Sequence, residues 1–579
     1  MNVAEQFVQV LVQAGVARVY GVVGDSLNPV VDAIRRTVDI EWVPVQHEEA
    51  AAFAAAAEAQ LTGRLAVCAG SCGPGNTHLI QGLYDANRSG APVLALASHI
   101  HTDQIGTSFF QETHPERLFV DASVWCETLY SPAQMPRIVR VAIQQALGAS
   151  GVSVLVMPGD VADVDVAHPT GEGSFCIERG RVAPPPSQVR ELAEAINAAE
   201  TVTLFCGAGV RGAHDEVMAL AEGTKAPLGH SLRGKEWIQY DNPYDVGMSG
   251  LLGYGACYEA THEAELLVLL GTDFPYDTFL PGRRTAQVDH DATHLGRRTP
   301  LEVAVHGDVR ETLRALLPSV EPKTSRRFLD DMLRRHERAL ARVVDAYTDD
   351  ARQRTPIHPE YVADVLDDLA DQDAIFTVDT GMNNVWAARY LTPNGRRRVL
   401  GSFLHGSMAN ALPHAVGAAF AAAPDRQVIA MAGDGGLAML LGELLTVQQH
   451  GLPVTTVVFN NSSLGMVELE MLVEGLPAHG TSRGQIDYAS IAEGMGVEAL
   501  RIIDPGDVRD GLAQALARPG PVLVDVVTDP NALSVPPNIT VQQIRGFAMA
   551  AGRTVLAGGV GKMLDLARSN LRNVRALEP

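Results

Sequence analysis

Ten short, almost wholly apolar runs, spaced along the chain and separated by helix-length stretches, constrain this sequence more than any other feature. They are Arg18–Val23, Leu65–Ala69, Val93–Ala97, Val152–Met157, Val202–Cys206, Leu266–Leu270, Ala374–Val378, Gln427–Met431, Thr455–Phe459 and Val522–Val527. A strand that is apolar on both sides must be covered on both faces, as parallel strands between two layers of helices are. The intervening segments supply those layers, and the alanine-rich Glu49–Gln60 is one of them. The predicted fold class is therefore α/β, with several doubly wound parallel sheets.

A chain of 579 residues, at about 150 residues per domain, predicts three or four domains. Ala183-Pro184-Pro185-Pro186-Ser187 suits neither helix nor central strand and reads as a linker. The charged stretch from Glu321 to Arg354 reads as a surface helix joining two domains, and Pro536-Pro537 marks where the chain leaves its last sheet. The predicted domains are 1–182, 183–335 and 356–530, with a linker helix over 336–355 and a tail over 531–579. A net charge of −23 argues against a nucleic-acid partner. No apolar run approaches the ~18 residues of a membrane span. The opening MNVAEQFVQV has neither the basic start nor the apolar core of a secretory signal. An intracellular protein, soluble in its bulk, is expected. Of the six cysteines, only Cys68 and Cys72 lie close together, and their spacing is poor for zinc. They read as small buried hydrophobes in a reducing compartment.

The strongest chemical signal is Gly433-Asp434-Gly435-Gly436 after one apolar run and Asn460-Asn461 after the next, the second Asn 27 positions beyond Asp434. Both oxygen ligands then stand at the carboxyl ends of neighbouring parallel strands, where α/β sheets bind ligands. The glycines let the backbone approach a diphosphate, and one carboxylate with one amide oxygen suits Mg²⁺, which takes its remaining ligands from water and phosphate. This is the thiamine-diphosphate signature. That cofactor also needs a buried carboxyl against its aminopyrimidine, to drive the proton transfer that activates it. His47-Glu48-Glu49, after the strand Ile40–Val45, offers Glu48, with Glu49 read as the start of the helix.

Further blocks extend the pattern: GVVGDSLN (21–28), HEEAAAFAA (47–55), AVCAGSCGPGNTHLI (66–80), FFQETHP (109–115), LRGKE (232–236), DNPYDVGM (241–248), LLGTDFPY (269–276) and GSFLHGSMANA (401–411). With these the chain resembles, over nearly its whole length, the pyruvate oxidase group of thiamine-diphosphate enzymes, and within it the pyruvate:quinone oxidoreductases. The resemblance implies pyrimidine-binding, FAD-binding and diphosphate-binding domains, a homo-oligomer that is usually a tetramer, and oxidative decarboxylation of pyruvate to acetate. Electrons would pass through FAD to a membrane quinone. It implies Glu48 as the activating glutamate and Asp434, Asn461 and the Ser463 carbonyl as Mg²⁺ ligands. Gly406, Ser407 and Met408 would support the cofactor, Met408 bending it, with Gly435, Gly436, Ser462, Leu464 and Gly465 completing its cradle. Phe110 and Gln111 match the substrate pocket, with His78 nearby, and Met466 and Glu470 complete the implied catalytic set, Met466 able to shield the intermediate. For FAD it implies Ser249, Gly250, Leu251 and Leu252, then Thr272, Asp273, Phe274, Pro275 and Tyr276, and Asp289 at the end of the strand TAQV. Gly207-x-Gly209-x-x-Gly212 fits a dinucleotide fingerprint by spacing, but no strand with an acid follows about 20 residues on, so it reads as a tight turn.

The chain departs from the pattern at Met466, where the resembling quinone enzymes carry Phe; Leu464-Gly465-Met466-Val467 is common in acetolactate synthases. Carboligation of two 2-keto acids is therefore the alternative activity, followed by an O₂-dependent, acetyl-phosphate-forming oxidase and a non-catalytic homologue. The intact Glu48, Asp434 and Asn461 argue against the last. Residues 553–579 carry five basic side chains against two acidic ones. Val560, Met563, Leu564, Ala567, Leu571 and Val574 recur there at helical spacing. A helix of that kind can lie on an anionic membrane surface. The resembling quinone enzymes use their C-terminal segment in this way, so peripheral attachment to the inner face of the cell membrane is expected.

Overall fold

The computed structural model describes residues 1–166, 175, 180–345, 348 and 351–533. Cys176 and the tail from residue 534 lie outside the described residues.

Three sheets follow one another along the chain. The first contains β1 (Arg18–Gly21), β2 (Glu41–Pro44), β3 (Ala66–Gly70), β4 (Val93–His99), β5 (Trp125–Thr128) and β6 (Val152–Pro158), in the order β2-β1-β3-β4-β6-β5, all parallel. The second contains β7 (Val202–Cys206), β8 (Leu228–His230), β9 (Asp245–Met248), β10 (Tyr254–Gly255), β11 (Leu266–Leu270), β12 (Thr285–Asp289) and β13 (Val303–His306). Its order is β10-β9-β8-β7-β11-β12-β13, and only the β9–β10 hairpin is antiparallel. The third contains β14 (Ile375–Val378), β15 (Arg398–Gly401), β16 (Val428–Gly433), β17 (Val454–Asn460), β18 (Glu498–Ile502) and β19 (Val522–Val527), in the order β15-β14-β16-β17-β19-β18, again all parallel. The α/β class read from the sequence is the class of the structure.

In each sheet the chain adds strands first on one side of its opening strand and then on the other. The reversal leaves a crevice between β1 and β3, between β7 and β11, and between β14 and β16. Ligands of doubly wound folds bind at such switch points. The crevices are tightly built. A Cβ on Gly24, just after β1, would stand 2.5 Å from Ser71 Cβ, just after β3. Gly209, after β7, comes so close to Gly271 that a Cβ would stand 2.6 Å from its Cα. The Gly207–Gly212 segment is thus the tight turn expected of it, its glycines fixed by close approach of backbone.

The first and third sheets are joined within the chain by two buried helices. Glu48–Thr62 is capped by His47, whose Nδ1 accepts the Glu49 N–H at 3.2 Å, and ends at Gly63, in the left-handed conformation at φ +69°. Residues Ala50–Ala57 are buried all round, as a helix clasped on every side must be. Ala411–Ala421 crosses it so closely that Gly417 touches the Ala54 carbonyl, where any side chain would overlap it.

Three local details differ from the sequence reading. The Pro-rich linker ends sooner than expected, because Pro186 starts the helix Pro186–Ala198, where a missing N–H is tolerated. The charged stretch is more than a surface linker: Arg327–Leu340 buries Leu329, Met332 and His336 against the central domain. Glu48, not Glu49, opens its helix, because His47 takes the extended cap position at φ −149°.

Candidate functional site

The first domain gathers polar groups that follow β1, β2, β3 and β4. Glu48 is 7 % exposed, and its Oε2 lies 2.9 Å from His78 Nδ1, whose N–H donates to the carboxylate. The His78 ring stacks on that of His47 at 4.3 Å between centroids. Burial, with His78 adding to it, holds the His47 imidazole below its usual pKa. His47, Glu48 and His78 bring their ligand atoms within 4.8 Å of one another. Gly75 must be glycine, since a Cβ there would stand 2.7 Å from Ser71 Oγ and 3.1 Å from Glu48 Oε1. The loop that carries Ser71 and Cys72 also reaches Gln111, so Glu48, His78 and Gln111 border one loop. Phe110 is 77 % exposed, and Gln111 takes a left-handed φ of +61°.

The third crevice carries the diphosphate candidates. The β16–β17 register pairs Gly433 with Phe459, so Asp434 and Asn460 leave their strands side by side. Asp434 is buried and opens the helix Asp434–Met439. Its carboxylate accepts the Gly435 N–H at 2.9 Å and the Ser462 N–H, and burial pushes its pKa up to about 6. Met408 Cε and Leu464 Cδ2 lie 3.1 and 2.7 Å from where a Gly435 Cβ would stand, so Met408, Gly435 and Leu464 wall one space. Asn461 Oδ1 accepts the Ser463 N–H at 3.0 Å, which folds the Ser462–Ser463 turn with Ser462 at φ +54°. Gly465 starts the helix Gly465–Val473, and a Cβ there would stand 3.2 Å from Asn461 Nδ2. Asn460 has a different task, donating to the Ile486 carbonyl and Asp525 Oδ1. Ser407 Oγ accepts from Gln81 Nε2 at 2.9 Å, which ties the Gly406–Met408 turn to the first domain.

The FAD candidates line the carboxyl ends of the central strands. Ser249, Gly250, Leu251 and Leu252 lie in the turn of the β9–β10 hairpin. Ser249 Oγ is buried without a partner among the described residues, and a Cβ on Gly250, at φ +109°, would stand 3.0 Å from Phe274 Cζ. Thr272 is buried after β11, and Asp273 is held by Arg297 at 2.8 Å and Arg298 at 3.1 Å. Phe274 packs edge-on against Phe205 and Tyr276, with Pro275 between. Asp289 is buried at the end of β12, accepting the Asp291 N–H at 2.9 Å. It lies 3.4 Å from His294 Nδ1, and this contact raises the His294 pKa. Leu252 and Met466 each pack against the apolar core of the third domain. Glu470, exposed one turn after Met466, lies close enough to Tyr276 for its charge to add to the rise that burial gives the phenol.

The Glu48 and Asp434 carboxylates sit in separate hydrogen-bonded groups, Glu48 with His78 and Asp434 with Gly435 and Ser462. Sequence reasoning missed Asp379 and Glu443. Asp379 follows β14 and touches Gly436 where any Cβ would overlap it; burial pushes its carboxyl up to about 7 against the N–H groups of Gly433, Thr380, Asn410 and Ala409. Its place at a strand's carboxyl end was a usable signal. Glu443, also buried and pushed up to about 7, accepts the Gln46 N–H at 3.1 Å and the His47 N–H, and so grips the segment before Glu48. No local pattern marks it.

Three family models match the chain: the N-terminal TPP binding domain of thiamine pyrophosphate enzymes over residues 1–118, their central domain over 189–316, and their C-terminal TPP binding domain over 379–526. An uncharacterised 42.6 kDa protein of Pseudomonas amyloderamosa is 50 % identical over 340 residues, 58 % of this chain and 86 % of that one. The pyruvate oxidase of Lactiplantibacillus plantarum is 31 % identical over 530 residues, 90 % of this chain and 87 % of that one. The large subunit of acetolactate synthase isozyme 1 of Escherichia coli (strain K12) is 29 % identical over 539 residues, 91 % and 94 % of the two chains.

Proposed function

The chain belongs to the thiamine pyrophosphate enzyme family, and from that premise we propose that it converts pyruvate and water to acetate and CO₂, passing two electrons and two protons through FAD to a membrane quinone. The observation that supports the reading is the closeness of Tyr276, in one candidate flavin segment, to Glu470, on the candidate thiamine-diphosphate helix. A carboligase has no need of electron transfer between the two.

The residues present fit the groups this reading requires. The orphaned Ser249 Oγ, in a turn beside Phe274, suits a ligand with a polar group to pair with it. Gly435 and Gly436 pack closely against Leu464, Met408 and Asp379, and Asp434, Asn461 and the Ser463 carbonyl would supply an all-oxygen set of the kind that suits Mg²⁺. When bound, thiamine diphosphate supplies the electron sink for loss of CO₂, and FAD the two-electron carrier. Glu48 holds or releases a proton at its carboxylate, steadied by His78. Met408 and Leu464 wall the cofactor space. Met466, flexible and apolar, excludes water. Gln111 and Phe110 receive the substrate, and Glu470 stands at the mouth. The functional protein in this reading is a homo-oligomer, and its basic tail holds it to an anionic membrane surface.

The Leu464–Val467 run and the likeness to acetolactate synthases favour a second reading, carboligation with FAD as a passenger. One assay separates the two: anaerobic pyruvate-dependent reduction of ferricyanide or a quinone analogue, with acetate and acetolactate both measured. Acetate in step with dye reduction is the expected result; acetolactate without dye reduction overturns the proposal. Among the described residues no helix is long and apolar enough to cross a membrane.

A further inference from the structure

The loop after β3 does more than shape the first crevice. Cys72 is 3 % exposed, and its Sγ lies 3.3 Å from Gln111 Oε1. The loop cannot drift. The Cys72 N–H donates to Ser26 Oγ at 3.0 Å, Ser26 Oγ pairs with Ser98 Oγ at 2.6 Å, and Asn76 Nδ2 donates to the Ser98 carbonyl at 2.7 Å. Gln111 is confined from the same side. A Cβ on Gly73 would stand 2.8 Å from Gln111 Cβ and 3.0 Å from its carbonyl, so the two backbones are in contact. Glu112 gathers the rest of the segment by accepting N–H groups from Gly106 and Phe109. Gln111 itself holds a left-handed φ of +61°, a conformation that a non-glycine residue keeps only where its surroundings impose it.

We infer that Cys72 is a positioning residue for substrate recognition: its thiol holds the oxygen end of the Gln111 amide, so that the Nε2 hydrogens serve the carboxylate of a 2-keto acid. In the arrangement seen, the thiol donates to the amide oxygen, which leaves the Nε2 hydrogens unclaimed by Cys72. An amide that turned over would present its oxygen to the substrate carboxylate and repel it. A two-hydrogen donor suits an anionic carboxylate, whereas Phe110 on the same turn offers only apolar surface. The inference rests on the functional reading, in which Gln111 contacts the substrate and that substrate is a 2-keto acid.

The test is a double-mutant cycle on the full-length holoenzyme with Cys72→Ala, Gln111→Ala and both together, alongside Cys72→Ser. Steady-state dye reduction is followed with pyruvate, 2-oxobutyrate and 2-oxoisovalerate, after bound thiamine diphosphate and FAD have been quantified. Cys72→Ala should raise KM roughly 2- to 10-fold, the range of one neutral hydrogen bond, with a smaller change in kcat and full cofactor content. Cys72→Ser, which keeps a donor, should recover most of the loss. In the Gln111→Ala background Cys72→Ala should add nothing, since a residue acting through another is silent once that other is gone. Additive effects, or a Cys72→Ser variant as impaired as Cys72→Ala, overturn the inference while leaving the reaction in place. Wild-type enzyme that turns over none of the three keto acids sinks the functional reading and this inference with it.

Discussion

Glu48→Gln is the substitution that tests the chemistry with least disturbance to the fold. The amide has almost the volume of the carboxyl, and its oxygen can take the place now held 2.9 Å from His78 Nδ1. Exchanging a charge-assisted hydrogen bond for a neutral one at a buried site costs about 1 kcal/mol, so the variant should fold and melt close to wild type. Turnover should respond quite differently. Loss of a general acid–base group slows a reaction roughly 10²–10⁴-fold, which is about 2.7–5.4 kcal/mol of transition-state stabilisation. The structure thus separates the two effects by about a factor of three or more in free energy. The assay is dye reduction at saturating pyruvate, with thermal melting and calorimetric titration of Mg²⁺·thiamine diphosphate on the same preparation. The expected result is a normal melt, retained cofactor affinity and at least a hundredfold loss of kcat. Near-wild-type turnover would refute the role of Glu48. So would a loss of turnover explained by cofactor binding alone, because the carboxylate would then be an anchor.

Asp434→Ala should abolish Mg²⁺-dependent binding of thiamine diphosphate and leave FAD in place, since the candidate flavin contacts lie on the central sheet; unchanged affinity by calorimetry rules Asp434 out as the metal anchor. The purified protein should be yellow and bleach on anaerobic addition of pyruvate; a yellow protein that pyruvate cannot bleach, yet which makes acetolactate, favours the carboligase. Glu443 has a folded pKa raised from 4.5 to about 7 by burial, so the folded state holds its proton more tightly than the unfolded one. Its contribution to stability is present below about 4.5 and fades as pH rises through 7, so the melting temperature of Glu443→Gln should fall less than that of wild type between pH 5 and 8; parallel curves refute the shift. Deleting residues after Gly552 should leave ferricyanide reduction intact and remove binding to anionic liposomes, and equal liposome binding by both proteins ends the membrane role of the tail.

What the sequence made legible, and what it hid, follows from one distinction. A strand covered on both faces writes itself as a continuous apolar run, and each of the ten runs became a strand, with ends shifted by at most two residues. Strands with one wet side mostly carry no such run, Glu41–Pro44 being the edge strand that the sequence still showed. Trp125–Thr128, Val303–His306, Arg398–Gly401 and Glu498–Ile502 are sheet edges with mixed burial, and Leu228–His230 is only three residues long, so none was visible. The site divides in the same way. Asp434 and Asn461 could be found because their spacing is dictated by adjacent strands of one sheet, a local geometry that a sequence records as distance along the chain. The grip of Glu443 on Gln46 spans 397 residues and the contact of Cys72 with Gln111 spans 39, and each depends on how two independently formed segments dock. Such contacts leave no period and no motif in the sequence. Their trace is instead in the glycines, since Gly24, Gly73, Gly75, Gly209 and Gly436 each abut a segment from another strand end where a Cβ would collide. The backbone at the three crevices is therefore packed so closely that those positions admit no side chain. That is why positions that look conformationally neutral in the sequence define the edges of the candidate site.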